Sequence, residues 1–191
     1  TTKDFEIGSK FISESFSYNL STYIIDGKNE LTYDTDAFEN INMSSTRRYG
    51  VEVNINNKIS DKINFINNFT FAKANYTSGD QGTYATNFQG NQVPLVPQYS
   101  LDSSLIWKIS EFTKIIPTVK YQDDMRMESD DENFQHTKIP SHVIANMSIS
   151  SNFGKFFSAL KINNIFDEKY YTYAVASSST LGAYNAYPEP G

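Results

Sequence analysis

The chain has 191 residues, a formal net charge of −6 and no cysteine. Without cysteine it can form no disulfide framework, cysteine–zinc cluster or thiol nucleophile, and its acidity argues against a general nucleic-acid binder. No run of about 18 uncharged apolar residues is present, which argues against a transmembrane helix. Aromatic residues make up 15% of the chain and charged residues 20%. A membrane β-barrel has this profile, because its strands give alternate residues to lipid and to a wet interior.

Eight segments predict β-strands, because apolar and polar residues alternate along each of them. The third segment, residues 47–57, is the clearest, and the first and last are weaker. Each predicted strand is about 10 to 13 residues long, enough to cross a bilayer, whereas strands of soluble domains are usually about 5 or 6. In chain order, the apolar faces carry Phe5, Ile7 and Phe11; Phe16, Tyr18, Leu20 and Ile24; Tyr49, Val51, Val53 and Ile55; Ile63, Phe65, Phe69 and Phe71; Tyr99, Leu101, Leu105, Trp107 and Ile109; Ile115, Pro117, Val119 and Tyr121; Val143, Ala145, Met147 and Ile149; and Leu160 and Ile162.

Short and long connections alternate along the whole chain. Short turns are predicted near residues 13–14, 57–61, 110–111 and 151–154. Long polar segments are predicted near residues 26–45, 77–97, 128–138 and from 174 onward. Bacterial outer-membrane barrels have short periplasmic turns and longer extracellular loops, so the pattern predicts an antiparallel up-and-down transmembrane β-barrel segment with its long loops outside the cell.

Aromatic residues are concentrated near the predicted short turns. Such a girdle is typical of a membrane interface, although aromatic residues can also cap a soluble core. The residues concerned are Phe11 and Phe16, Trp107 and Phe112, and Phe153, Phe156 and Phe157.

Five stretches resemble motifs of the TonB-dependent outer-membrane receptors, in the same order as in that family. They are FEIGSK at residues 5–10, NINMSSTRRYGVE at 40–52, VPLVP at 93–97, NNIFDEKY at 163–170 and AYPEPG at 186–191. Together they extend over nearly the whole chain.

The resemblance implies a barrel of about 22 strands around an N-terminal plug. Residues 1–191 would supply the C-terminal part of that barrel, with the plug domain and the last strand absent. Nothing at Thr1 resembles a signal peptide, so we expect the chain to be part of a longer outer-membrane protein. The partners implied are a ferric siderophore or similar small ligand, the TonB complex through the plug, and outer-membrane lipid and lipopolysaccharide.

The residues within the family motifs are interpreted as structural. Gly50 suits a point where a strand bends or packs closely. Arg48 and Glu52 are expected to face the barrel interior, and Arg47 to lie at the loop end near the lipid headgroups. Asn163 and Asn164 could bridge neighbouring strands or the plug by hydrogen bonds. The motif residues assigned a structural role are Arg47, Gly50, Glu52, Asn163, Asn164, Phe166, Asp167 and Tyr170.

Ligand-binding candidates fall on the long loops. Tyr84 and Phe88 could stack on an aromatic siderophore or pack the loops together. Arg126 lies within an acidic stretch, residues 123–132, which could attract cations or form a solvated loop. His136 with Met125 and Met127 could contact copper or haem, since thioether and imidazole are soft ligands, but with only two histidines in the chain ordinary packing is the simpler interpretation.

The functional prediction is an outer-membrane active-transport receptor that imports a scarce nutrient, most often a ferric siderophore in this family. The alternatives are a passive porin-like or adhesion barrel, and a soluble carbohydrate-binding β-sandwich. No nucleophile elbow, P-loop or metal-binding histidine pair is present. We therefore expect no enzymatic activity, no metal site and no cofactor.

Overall fold

A computed structural model describes residues 1–34, 38–42, 44–78, 88–177 and 179–189. These residues form twelve strands and no helix long and apolar enough to cross a membrane. The strands are β1 (Thr2–Ile12), β2 (Phe16–Gly27), β3 (Leu31–Asp34), β4 (Glu39–Asn42), β5 (Thr46–Lys58), β6 (Ile63–Tyr76), β7 (Tyr99–Lys108), β8 (Thr113–Gln122), β9 (His142–Phe153), β10 (Phe156–Ile162), β11 (Tyr171–Ala176) and β12 (Tyr184–Pro188).

Eight of these strands form one antiparallel sheet in the order β1-β2-β5-β6-β7-β8-β9-β10. Each strand pairs with its neighbour along the chain, apart from the hairpin β3–β4 inserted between β2 and β5. The sheet does not close, because β1 and β10 are edge strands with one partner each. The prediction of an all-β, up-and-down antiparallel barrel segment is confirmed.

The strand register places the predicted apolar residues on one face of the sheet. Directly paired residues point to the same side, and one such row runs through Leu20, Val53, Phe69, Leu101, Tyr121 and Val143. The next row, on the opposite face, contains Lys10, Asn19, Asn54, Asn68, Asp102 and Lys120. The apolar face is exposed, with Phe5 at 68% and Val143 at 52%. A sheet whose apolar face is left exposed by the rest of the chain fits a membrane, where lipid covers that face.

Serine side chains organise three of the four short turns. The hydroxyl oxygens of Ser13, Ser60 and Ser110 each accept a hydrogen bond from the backbone N–H three residues later, at 3.1 Å in every case. Ser-turns of this kind replace a backbone hydrogen bond where the chain reverses. At this short-turn end of the sheet, the rings of Phe112 and Phe153 lie 6.0 Å apart.

Two predictions about the strands need correction. β10 has 7 residues and β6 has 14, outside the expected range of about 10 to 13. Two segments expected to be loops contain two-stranded sheets, β3–β4 and β11–β12. These strands have four to six residues, too few for their alternation to stand out in the sequence.

Candidate ligand-binding site

The long connections at one end of the sheet pack into a single structured layer. We call it the loop cap: residues 88–98, 123–141, 171–177 and 179–189. A parallel bridge joins two of these segments, since the N–H of Glu128 donates to the carbonyl of Ala174 and the N–H of Ala176 donates to that of Glu128, both at 2.9 Å. The loop cap therefore has backbone pairing of its own.

A small apolar cluster lies beneath this bridge. Its buried members are Met125, Met127, Ile139, Ala174 and Ala176. Met127, Ile139 and Ala174 are completely inaccessible to solvent. Methionine suits such irregular apolar gaps because its side chain is flexible. The exposed His136 lies outside this cluster, so the contacts favour packing as the role of the two methionines.

A second cluster attaches the β6–β7 connection to the β8–β9 connection. Phe88 is buried, 8% exposed, with its ring 5.6 Å from that of Tyr76. The Tyr76 hydroxyl donates a hydrogen bond to the Asp131 carboxylate. Gln92 and Asn133 are linked twice: the Gln92 N–H donates to the Asn133 side chain at 2.8 Å, and the Asn133 amide donates to the Gln92 carbonyl at 2.9 Å.

Arg126 lies in the interior of the loop cap. Its Nη1 is 3.0 Å from Asp130 Oδ2 and donates to the carbonyl of Gln135 at 2.7 Å. The Asp130 side chain is 1% exposed and that of Arg126 18%. Asp130 Oδ1 also accepts from the Gln135 N–H at 3.0 Å. The ion pair is largely buried, and both of its members make further hydrogen bonds. Removing either member would leave the charge of the other uncompensated.

Gln135 connects the β8–β9 segment to the β11–β12 hairpin. Its Nε2 donates to the carbonyls of Ser177 and Thr180, at 2.7 and 3.1 Å, and its Oε1 accepts from the N–H of Gly182 at 2.7 Å. Sequence reasoning missed this residue, because a glutamine in a polar loop carries no signal of burial. Nearby, a hydrogen bond to Glu128 and partial burial raise the pKa of Tyr173 to about 12.

Asp131 is a partly buried carboxyl group that forms no ion pair with any of the described residues. Burial raises its pKa; the hydrogen bond from Tyr76 opposes this shift, and the charges of Asp130 and Glu128 add to it. A carboxyl group whose pKa is higher in the folded state stabilises that state fully only below its unfolded pKa, and the contribution is lost as the pH rises through the folded value.

We therefore expect Asp131 to make the loop cap more stable as the pH falls through the raised pKa of this carboxyl group. The Asp131→Asn variant keeps an acceptor for Tyr76 but cannot ionise, so its cap should be more stable than wild type at pH 7.5 and lack this pH dependence. Hydrogen-exchange protection factors of residues 88–93 and 128–133, measured in the full gene product, test this. Equal pH dependence in both proteins would contradict it.

The TRRYGVE motif on β5 lies below the loop cap, with Arg48, Gly50 and Glu52 on the polar face of the sheet. Arg48 donates from both Nη atoms to the Glu30 carboxylate, at 3.1 and 2.7 Å. Gly50 lies directly opposite Tyr23 in the register. Glu52 is exposed on the same face and, with Glu6, lines a cavity of about 350 Å³. On the opposite face, Arg47 makes a two-point contact with Asp26, at 2.7 and 3.0 Å.

The NNIFDEKY motif forms a tight turn that ends β10. Asn164 and Asp167 both have positive φ, 48° and 52°, a conformation that Asn and Asp tolerate best among residues with a side chain. The Asn164 amide donates to the Glu168 carbonyl, its Oδ1 accepts from the Glu168 N–H, both at 2.9 Å, and its backbone N–H donates to Asn146 on β9 at 2.8 Å. The turn is thus tied to the neighbouring strand.

Replacing Asn164 with alanine is expected to destabilise this turn by about 2–3 kcal/mol, because it removes two hydrogen bonds and puts a Cβ-bearing residue without a local polar partner at positive φ. Asn164→Gly keeps the backbone freedom and should cost less. The midpoint of urea unfolding of the full gene product in detergent measures both. Equal losses would show that the φ angle contributes nothing.

The other motif residues have different surroundings. Tyr170 packs against His142 with ring centroids 4.7 Å apart, and Asp167 forms an ion pair with Lys169 at 2.7 Å. Asn163 is exposed, and Phe166 is 80% exposed beside the edge strand.

Of the four ligand-binding candidates, Phe88 and Arg126 lie inside the loop cap, His136 lies on its surface and Tyr84 lies outside the described residues. Ligand contact by these four residues stays a prediction.

Comparisons with known proteins agree with this architecture. The family model described as TonB dependent receptor-like, beta-barrel, matches residues 1–185. The chain is 26% identical over 182 residues to the probable TonB-dependent siderophore receptor PiuA of Acinetobacter baumannii, covering 91% of this chain and 24% of that protein.

Solved structures share the fold. The ferric yersiniabactin uptake receptor FyuA from Yersinia pestis superposes with a TM-score of 0.79 at 16% identity, over 98% of this chain and 28% of its own. The siderophore receptor PiuA from Acinetobacter baumannii gives 0.73 at 21% identity, over 98% and 26%. The chain thus spans about a quarter of the length of these relatives. From the match over residues 1–185, we conclude that the chain belongs to the TonB-dependent receptor-like β-barrel family.

Proposed function

We propose that this chain is the C-terminal part of the barrel of an outer-membrane receptor that actively imports a ferric siderophore or another iron complex. An N-terminal plug outside residues 1–191 would contact the TonB complex, which supplies the energy. The short turns would face the periplasm and the loop cap the outside of the cell. The observation that carries the proposal is the two-faced antiparallel sheet of a TonB-dependent receptor, ending in a structured loop cap.

The loop cap suits the capture of a small ligand. Three connections are held together by buried side chains such as Met127, Asp130 and Gln135, so their exposed residues keep a defined arrangement without a ligand. A preorganised surface loses less conformational entropy on binding than separate flexible loops would. The cavity near Glu52 lies on the polar face, where a ligand passing the cap would enter.

Individual ligand contacts are part of the proposal. His136 is exposed and can reach a ligand directly, with Tyr84 as a second candidate. Phe88 and Arg126 would act in the cap interior, by holding the loops on which those residues stand. The relatives named as receptors for ferric yersiniabactin or siderophores support an iron complex as the substrate class.

Uptake of radioactive iron by cells tests the proposal. A strain lacking the gene should lose uptake of at least one ferric siderophore under iron limitation, and the full-length gene should restore it. Uptake should also stop when a protonophore collapses the proton-motive force or when TonB is deleted. Restoration that is insensitive to both treatments would contradict active transport and favour the passive porin-like alternative. A strain whose iron uptake is unaffected but whose surface attachment is lost would favour an adhesion barrel.

A further inference from the structure

A polar pair interrupts the apolar face of the sheet halfway along two of its central strands. Asn67 on β6 and Ser103 on β7 lie opposite each other in the strand register, and the Ser103 hydroxyl donates a hydrogen bond to Asn67 Oδ1 at 2.7 Å. Their row continues through Ile55, Val119 and Ala145, so both side chains point away from the polar face. Apolar pairs flank them along both strands: Ile63–Trp107 and Phe65–Leu105 toward the short turns, and Phe69–Leu101 and Phe71–Tyr99 toward the loop cap.

This position places the pair in the least polar part of a membrane. The apolar band of an outer-membrane barrel is about 25 Å tall, and Asn67 lies near its middle because two apolar residues of the same face stand on each side of it along β6. Both polar side chains are partly exposed. At this depth neither water nor acyl chains can satisfy an amide, and an unsatisfied polar group costs free energy.

The hydrogen bond within the pair leaves much of its capacity unused. An asparagine side chain has two N–H donors and an oxygen with two lone pairs, of which Ser103 occupies one lone pair. Within the part of the chain that the structure describes, Asn67 Nδ2 donates to no acceptor. Thr22 on the same face differs, because its hydroxyl donates to the Gly50 carbonyl at 3.0 Å. Asn67 therefore presents donors and an acceptor together on the outside of the sheet.

We propose that a second copy of the protein covers this pair, so that two barrels associate side by side in the membrane. A twofold axis parallel to the membrane normal keeps both copies in the same orientation and at the same depth, so a surface near the axis meets its own counterpart. The Asn67 side chain of each copy then donates from Nδ2 to Oδ1 of the other copy. Ser103 orients both amides through the bond that it already makes.

A second copy fits this surface better than an unrelated membrane protein does. Apolar contacts between two proteins in a membrane replace equivalent contacts with acyl chains, so polar groups contribute strongly to the choice of partner. An unrelated partner would need complementary donors and acceptors at the same depth, whereas a second copy carries them at the identical height. The inference goes beyond the proposed function and requires only that the apolar face meets lipid.

Association of the full gene product in lipid vesicles tests the proposal. Donor-labelled and acceptor-labelled samples are reconstituted together in vesicles of phosphatidylethanolamine and phosphatidylglycerol, and energy transfer is measured over a range of protein-to-lipid ratios. The N67L/S103A variant should weaken association by about tenfold to a hundredfold, because two symmetry-related hydrogen bonds between membrane-spanning segments are lost. Its midpoint of urea unfolding should be no lower than that of wild type, since apolar side chains replace polar ones on a face that meets lipid.

The polar face of the neighbouring strands offers a matched control. The hydroxyl oxygens of Ser104 on β7 and Thr118 on β8 lie 2.9 Å apart, one residue away from Ser103 and Val119 but on the opposite side of the sheet. The S104A/T118V variant also removes a hydrogen-bonded pair and should keep wild-type association within about twofold, because the lipid-facing row is unchanged. Folded protein is quantified in each preparation by its heat-dependent migration on gels.

Three results would overturn the inference: wild-type protein that stays monomeric at every protein-to-lipid ratio, unchanged association in N67L/S103A, or an equal loss in S104A/T118V. A lower urea midpoint of N67L/S103A with unchanged association would show that the pair acts only within one barrel. Iron uptake reports separately on the proposed function. A wild-type protein that imports no iron complex would contradict the receptor proposal and leave the association test unaffected.

Discussion

Replacing Gly50 with alanine is expected to lower the free energy of unfolding by about 3 kcal/mol, the upper part of the usual range for added volume at a tightly packed position. A Cβ at this position would lie 2.3 Å from the carbonyl oxygen of Phe71 and 2.7 Å from the phenolic oxygen of Tyr23. The Phe71 carbonyl belongs to the neighbouring strand β6. It cannot move away without disturbing the β5–β6 pairing.

Two further variants separate the causes of this effect. In Gly8→Ala the new Cβ would meet only the Leu20 carbonyl, at 3.1 Å, so a smaller loss is expected. Combining Gly50→Ala with Tyr23→Ala removes the phenol but leaves the Phe71 contact, and should restore little stability. Urea unfolding of the full gene product in detergent provides the measurement. A Gly50→Ala protein as stable as wild type would show that the two strands tolerate a side chain here.

Replacing Asp130 with alanine is expected to destabilise the loop cap by about 3–5 kcal/mol, because Arg126 would keep a buried charge without its partner. The Gln135 N–H would lose its acceptor as well. Removing both charges in Arg126→Met/Asp130→Leu should recover most of the loss, since a buried ion pair is often replaceable by apolar residues of similar size. Hydrogen exchange and proteinase K cleavage within residues 123–141 measure the effect.

An exposed ion pair in the same segment provides the control. Lys138 and Asp124 lie 2.7 Å apart, with 32% and 49% of their side chains accessible. Pairs this exposed contribute about 0–1 kcal/mol, so Asp124→Ala should alter cleavage little. If Asp130→Ala and Asp124→Ala have equal effects, burial of the Arg126–Asp130 pair has no special importance.

The eight-stranded sheet could be predicted because its signal is local. Alternation along β5 or β9 is visible within about ten residues, and side chains that alternate must lie on opposite faces of any strand. The end of β10 was harder to predict. It depends on the positive φ of Asn164 and on the hydrogen bond from that residue to Asn146, and the second of these joins two strands.

The loop cap was not predictable in the same way. Gln92 and Asn133 are 41 residues apart in sequence, and Gln135 and Thr180 are 45 apart. Nothing in the immediate neighbourhood of these polar residues distinguishes them from solvated loop residues. Met125 and Met127 were equally ambiguous, since thioethers suit both a metal site and an apolar cluster.

By itself, the sequence determined the two-faced sheet, the short turns and the receptor family to which the chain belongs. The alternation of each strand and each family motif lies within a short stretch of neighbouring residues. Only the tertiary structure decided which loop residues are buried. Met127, Asp130 and Gln135 lose contact with water because segments distant in sequence fold over them, and that depends on the whole arrangement of the connections. The candidate ligand-binding surface is a product of those long-range contacts.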